Sequence, residues 1–193
     1  MPRLFILVEQ KNKMETYISI LRGINVSGHK LIKMDALKKL FEDLSFKNIR
    51  TYIQSGNVIF ETKKVDTKNL EAKIEKQIFK TFGFEVLVLV KEKNEWKTVL
   101  NNNPFLKNRN EDISKLHVTF LSSEPEQTNI DNILQTKFNN DEFIILEKII
   151  YLFCPDGYGN TKLSNNFFEN KLKVSATTRN WKTIIELNKL TDL

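Results

Sequence analysis

From Met14 onward, the apolar residues of this chain switch between a period of two and a period of three to four, in an order that starts again near Leu116. Period two buries one face of a strand and the longer period one face of a helix, so the switching points to an α+β fold. Met14–Arg22 reads as a strand, with Ile18 and Ile20 on one face and Tyr17, Ser19 and Leu21 on the other. Met34, Leu37, Leu40, Phe41 and Leu44 then predict an amphipathic helix. Strands at 49–53 and 58–61 follow, joined through Gln54-Ser55-Gly56-Asn57, where glycine and asparagine allow a positive φ. A second helix, capped by Asp66 or Thr67, carries Leu70, Ile74, Ile78 and Phe82 and ends at Gly83, and residues 85–90 are an apolar strand. The order is β-α-β-β-α-β, the split βαβ arrangement of a ferredoxin-like unit.

The second half predicts the same order: strand 116–121, helix 129–138, a hairpin of 142–146 and 149–153 turning at Glu147-Lys148, helix 166–172, and a short strand near Val174. A terminal helix over 180–190 starts at Thr177-Thr178-Arg179-Asn180-Trp181, whose hydroxyls and amide suit capping. Between the halves, a short helix around 95–100 is broken by Asn101-Asn102-Asn103-Pro104. The expected fold is therefore α+β, two tandem ferredoxin-like (βαββαβ) units packed together plus a C-terminal helix. The expected boundaries are an N-terminal extension over 1–13, a first unit over 14–91, a linker over 92–114, a second unit over 115–176 and the helix over 177–193. Neither half is long enough to bury a large core alone, which favours packing of the two.

The longest purely apolar run, Val86–Val90, is far short of the roughly 20 residues of a membrane-spanning helix, and the opening residues lack a secretory pattern. A single cysteine, Cys154, fits a reducing compartment, so the expected location is the cytoplasm with no membrane partner. The net charge is +6, with surpluses of +5 over residues 1–50 and +3 over 161–193 and a deficit of 2 between them. Since 25 of the 30 basic residues are lysine, compositional bias explains much of this, and the five arginines stand out more sharply.

Four polar, glycine-bearing strings remain after the periodic segments are assigned: Leu21–Asn25, Tyr52–Asn57, Gly157–Gly159 and Thr177–Trp181. None spells a nucleotide loop or a dinucleotide fingerprint. The stretch from Arg22 to Gly28 leaves a strand and approaches a helix start near Lys33, a setting for a phosphate or carboxylate with Arg22, Lys30 and Lys33. Its bland counterpart is a long connection pinned by Arg22 and Asn25 bonding to carbonyls. Candidate anion-binding residues are Arg22, Asn25, Ser55, Asn57, Lys162 and Arg179. Catalytic residues are not assignable. His29 and His117 lie 88 positions apart, so no metal site is expected, nor is any cofactor. Cys154 reads as a small buried hydrophobe.

Leu21-Arg22-Gly23-Ile24-Asn25-Val26, Thr51 to Phe60, Lys162-Leu163-Ser164-Asn165 and Ala176 to Trp181 resemble, in that order, a bacterial domain-of-unknown-function family numbered 1697, across Met14 to Leu190. The family more often has glycine at the position of Ser27, serine at Thr161, and asparagine or arginine at Lys182. The resemblance implies a pair of ferredoxin-like units in a soluble bacterial protein and lends no activity.

Three functions are compatible with these residues. The first is a binding or regulatory module with an anion-accepting polar cleft between its halves. The second is an enzyme on a small phosphorylated or carboxylated metabolite, which calls for a carboxylate of raised pKa. The third is nucleic-acid binding, which on such a unit calls for aromatics exposed on the central strands; only Tyr17 and Phe60 are placed for that role.

Overall fold

The computed structural model describes residues 13–193 apart from Lys137, Asn139 and the side chain of Asn108. Of the expected N-terminal extension, residues 1–12 therefore lie outside the described residues. Along the chain run β1 (Met14–Leu21), α1 (Met34–Asp43), β2 (Lys47–Tyr52), β3 (Asn57–Lys63), α2 (Thr67–Phe82) and β4 (Val88–Glu92). There follow α3 (Lys93–Asn101), α4 (Pro104–Arg109), β5 (Leu116–Leu121), α5 (Gln127–Leu134), β6 (Glu142–Leu146), β7 (Ile149–Phe153), α6 (Asn165–Leu172), β8 (Ala176–Asn180) and α7 (Trp181–Leu190). The fold is mixed α+β: two four-stranded sheets, ordered β2-β3-β1-β4 and β6-β7-β5-β8, every pair antiparallel. Among the described residues no helix is long and apolar enough to cross a membrane.

The chain divides into two compact units. One comprises the described residues through Lys97 together with Leu187–Leu193, the other Thr98–Glu186. The chain's last residues are tied to the first unit by Arg50, which donates to the Leu190 carbonyl at 3.2 Å, and by Lys93, which donates to the Thr191 carbonyl at 2.7 Å and pairs with Asp192 at 2.8 Å.

In the first unit α1 and α2 carry Leu37, Leu40, Phe41, Leu70, Ile74 and Ile78 onto the sheet face formed by Tyr17, Leu21, Val58, Phe60, Val88 and Val90. Phe60 is the centre of an aromatic cluster, with Phe46 stacked at 4.4 Å, Phe41 edge-on at 5.3 Å and Tyr17 stacked at 5.6 Å. Burying each such ring contributes about 1.5–3 kcal/mol. The Tyr17 hydroxyl both donates to the Val65 carbonyl and accepts from the Val65 amide at 3.1 Å, so its polar end is satisfied inside the core. Asp66 caps α2 by accepting from the Lys68 and Asn69 amides, and Gly83, at φ 79°, ends it in the left-handed region. In the second unit Ile133, Phe168 and Leu172 pack with Leu121, Ile150, Leu152 and Ala176.

Several expected elements differ. Thr177–Asn180 is a strand rather than the start of the last helix. Thr177, Thr178 and Arg179 pair with Phe120, Thr119 and Val118 of β5, where β-branched threonines sit well. Only Asn180 caps α7, accepting from the Thr183 amide at 2.8 Å. Pro104 opens a helix instead of merely ending one: Asn103 caps it by accepting from the Phe105 amide at 3.0 Å, and proline has no amide to lose in a first turn. Phe105 is then buried and its ring lies 5.9 Å from Phe153. The first hairpin turns at Ile53–Gly56 rather than at 54–57, with Asn57 already paired to Tyr52 and to Ile20. The fifth helix spans Gln127–Leu134 rather than 129–138.

Candidate functional site

Twelve residues separate the end of β1 from the start of α1, and five residues from Gly23 to Lys30 have positive φ: Gly23, Asn25, Ser27, Gly28 and Lys30. Such a path holds only if something fixes it, and Asn25 does. Its Nδ2 donates to the Ile32 carbonyl at 2.9 Å and to the Gln54 carbonyl at 2.8 Å, while its Oδ1 accepts from the Ile32 amide at 2.8 Å. One side chain thereby closes the loop onto itself and clamps it to the β2–β3 hairpin tip. Lys30 adds a second tie by donating to the Glu85 carbonyl at 2.6 Å. Arg22 is half-buried, and its amide donates to the Leu87 carbonyl at 2.9 Å.

The hairpin tip is shaped by the same logic. Gly56 is at φ 76°. Asn57 is fully buried and donates to the Tyr52 carbonyl at 3.1 Å and to Ser55 Oγ at 3.0 Å. Ile53 stands at φ 49° with its side chain about half exposed, an outlier for a β-branched residue. Loop and hairpin together border a groove of about 540 Å3 lined by Asn25, Leu31, Ile32, Lys33, Met34, Asp35 and Gln54. Helix α1 begins at this groove, and its N-cap, Lys33, supplies no side-chain hydrogen bond to the first turn.

The other strings converge within the second unit. Thr178 Oγ1 donates to Asn165 Oδ1 and lies 2.7 Å from Thr119 Oγ1, and the Tyr158 hydroxyl also bonds to Thr178. With its proton given to Asn165, Thr178 has its two lone pairs left to accept. The His117 ring stacks on Tyr158 at 4.5 Å, and its Nδ1 is buried with no hydrogen-bond partner. Burial lowers the His117 pKa, partly opposed by a hydrogen bond to the Lys115 backbone. Arg179 is nearly buried; its Nη1 donates to Thr177 Oγ1 at 3.1 Å and to the Thr178 carbonyl at 2.9 Å, and burial lowers its pKa to about 10. Lys162 is exposed, in the segment just before the Ser164 cap of α6.

The chain belongs to the DUF1697 family. That family, described as a protein of unknown function, matches residues 14–151, well over half of the chain; the third and fourth strings lie beyond the match. Among solved structures, this DUF1697 chain is similar to the conserved bacterial protein SP0830 from Streptococcus pneumoniae, at 21% identity and a TM-score of 0.68, covering 92% of this chain and 99% of that one. At that identity the likeness speaks to fold. No curated protein matches. Ser27, where a DUF1697 glycine was expected, has φ 50°, so a glycine there would be relaxed where serine is strained. Thr161 donates to Asp141 Oδ2 and accepts from the Leu163 amide, bonds that a serine hydroxyl makes equally well.

Set against the sequence, the six candidate residues divide. Asn25, Ser55 and Asn57 come together around the first-unit loop and hairpin, with Arg22 at the start of the same loop, while Lys162 and Arg179 belong to the second unit. The amides of Asn25 and Asn57 bond to backbone, so both pin the chain. Lys33 and the helix start, which the sequence points to as an anion setting, line the groove together with Gln54 of the hairpin tip. His117 gave none. Tyr17 and Phe60, the aromatics weighed for stacking on bases, are both fully buried. Cys154 is buried, its thiol pushed up to about 11 by burial first and then by Asp141. Among the described residues, no three His, Cys, Asp or Glu side chains are grouped to hold a metal. Burial raises Glu75, which lines a separate groove of about 580 Å3 with Phe79, Glu85 and Leu87, but its Oε1 accepts from the Val88 amide at 2.9 Å.

Proposed function

We propose that this protein is a binding or regulatory module made of two tandem ferredoxin-like (βαββαβ) units, with an anion-accepting surface on the first unit where the 22–33 loop meets α1. The tandem reading is supported by the identical strand order of the two sheets and by the recurrence of strand, helix, hairpin, helix, strand in each half. The binding reading is carried by Asn25, whose three bonds hold loop, helix entrance and hairpin tip in one preformed arrangement. A helix N-terminus with no side-chain cap presents amide donors to the groove, Lys33 supplies charge in its lining, and Arg22 begins the loop that borders it. In this proposal Arg22 presents charge, Asn25, Ser55 and Asn57 hold backbone in place, and Lys162 and Arg179, in the second unit, take no part in this surface.

Catalysis is the weaker reading, because the raised carboxylate, Glu75, is occupied by the Val88 amide and lies in a groove lined by none of the polar strings. The test is an amide-resolved NMR titration with inorganic phosphate, pyrophosphate and citrate. Saturable shifts at the amides of Met34, Asp35 and Ala36, lost in an Arg22→Ala/Lys33→Ala variant, are expected. Shifts scattered over the lysine surface without saturation would sink the reading.

A further inference from the structure

Asn25 and the two residues it binds, Ile32 and Gln54, each have an exposed aliphatic neighbour in the chain. Val26 follows Asn25 and is 57% exposed, Leu31 precedes Ile32 and is 67% exposed, and Ile53 precedes Gln54 and is 49% exposed. Elsewhere, large apolar side chains of the first unit's sheet and its two packed helices are mostly buried, so three wet aliphatics, each next in the chain to a residue joined by the Asn25 clamp, stand out. The backbone works to keep them out: Ile53 holds a left-handed φ that only glycine or asparagine adopts readily, yet its side chain gains little burial there. Val26 is held in a tight bridge with His29, whose amide donates to the Val26 carbonyl at 2.9 Å.

The surroundings are cationic. From Thr16 to Met34 the chain has Arg22, Lys30 and Lys33 and no carboxylate, and the hairpin residues from Thr51 to Phe60 carry no charge at all. Asp35 is the single acid lining the groove. That groove is walled by Leu31, Ile32 and Met34, so it takes side chains from an occupant lying across the patch. A bilayer would meet the aliphatics but leave the groove unfilled, and a nucleic acid would find charge and the rings of His29 and Tyr52 but no use for the aliphatic tips.

We infer that the Val26–Leu31–Ile53 patch docks a short acidic segment of a partner protein, seating one aliphatic side chain in the groove while its carboxylates face Arg22, Lys33 and the first turn of α1. This deepens the anion-accepting reading and rests on it, with the partner's carboxylates as the anion. Aliphatic anchors supply the affinity and the cations fix orientation and speed encounter.

The experiment follows the fluorescence anisotropy of a dye-labelled Glu-rich peptide with two leucine anchors on the full-length protein. Beside it stand a Lys-for-Glu peptide, a Ser-for-Leu peptide, phosphatidylglycerol vesicles and a single-stranded oligonucleotide. Saturable binding of the first peptide alone is expected, weakened about tenfold or more by Leu31→Ser, as expected for losing one buried leucine. Ile53→Gly is expected to lose a similar factor while its unfolding midpoint stays level or rises, which a purely structural role for Ile53 would not produce. Inorganic phosphate titrated in parallel separates the two readings. Phosphate binding without peptide binding overturns the docking proposal and leaves the anion site standing, whereas failure of both removes both. Equal binding of the Ser-for-Leu peptide, or preference for vesicles or oligonucleotide, also overturns it.

Discussion

Gly56 sits so close to Leu21 that a Cβ built on it would lie 2.7 Å from the Leu21 Cβ, and its carbonyl accepts the Leu21 amide at 2.8 Å. The end of β1 therefore runs directly under the hairpin turn, and the same Cβ would lie 2.8 Å from Ile24 Cδ1. Gly56→Ala is expected to destabilise the protein by about 2–4 kcal/mol, combining a left-handed φ with an overpacked contact. Urea unfolding is the check: the midpoint falls and the slope is unchanged. A midpoint within error of the parent would mean that Leu21 and Ile24 move aside freely.

Asn25 is expected to matter for stability more than its half-exposed position suggests. Asn25→Gly keeps the left-handed backbone relaxed and removes all three side-chain bonds, so its effect isolates the clamp, at about 1–3 kcal/mol. Asn25→Asp retains an acceptor for the Ile32 amide but loses both donated bonds, placing it between parent and glycine. Hydrogen exchange of the Ile32 amide reads this directly, with protection falling in the same order. Unchanged protection in Asn25→Gly would show the loop to be held by other contacts.

Much of this architecture was legible because local pattern and final environment agree. The β6–β7 hairpin lies where alternation and the Glu147-Lys148 turn put it, and Glu147, at φ 53°, takes the left-handed position itself. The Asp66 cap and Gly83 stop of α2 were readable for the same reason. Legibility failed where a tertiary partner decides. Thr177–Arg179 has capping residues but is drawn into a strand by β5, and Pro104 starts a helix because Phe105 has Phe153 to pack on. In the site, an asparagine and glycines in a loop signalled a shaped turn, but the Gln54 carbonyl that Asn25 finds is 29 residues away. No propensity rule places isoleucine at φ 49°.

Cys154 is expected to be inert in the native protein. A thiol raised from 9.0 to about 11 has its thiolate population at pH 8 reduced roughly a hundredfold, and its burial removes access as well. Labelling with a disulfide-exchange reagent should proceed at least about 100 times more slowly in buffer than in urea, its rate tracking global opening. Rapid native labelling would place the thiol in a locally opening segment and reopen nucleophilic chemistry at this position.

Acid sensitivity should centre on His117. Its pKa is lowered in the folded protein from an ordinary value near 6.5, chiefly by burial, so the unfolded chain binds more protons as the pH drops below 6.5. The stability this neutral ring permits is present above pH 6.5 and is lost as the pH falls from there toward the depressed folded value. The lowered carboxylates Asp112, Glu142 and Asp192 act in the same direction but only at or below their ordinary values of 3.8 to 4.5, and the raised Glu75 acts in the opposite one. A decline in the unfolding midpoint between pH 6.5 and about 5 therefore reports the histidine. His117→Phe keeps a ring to stack on Tyr158 and has no nitrogen to protonate, so its stability should be nearly flat over that interval and its Tyr158 environment unchanged in near-ultraviolet circular dichroism. A parent protein as stable at pH 5 as at pH 7 would mean that the Lys115 hydrogen bond offsets the burial of the charged ring, and a phenylalanine variant with the parent's slope would assign the decline to other groups.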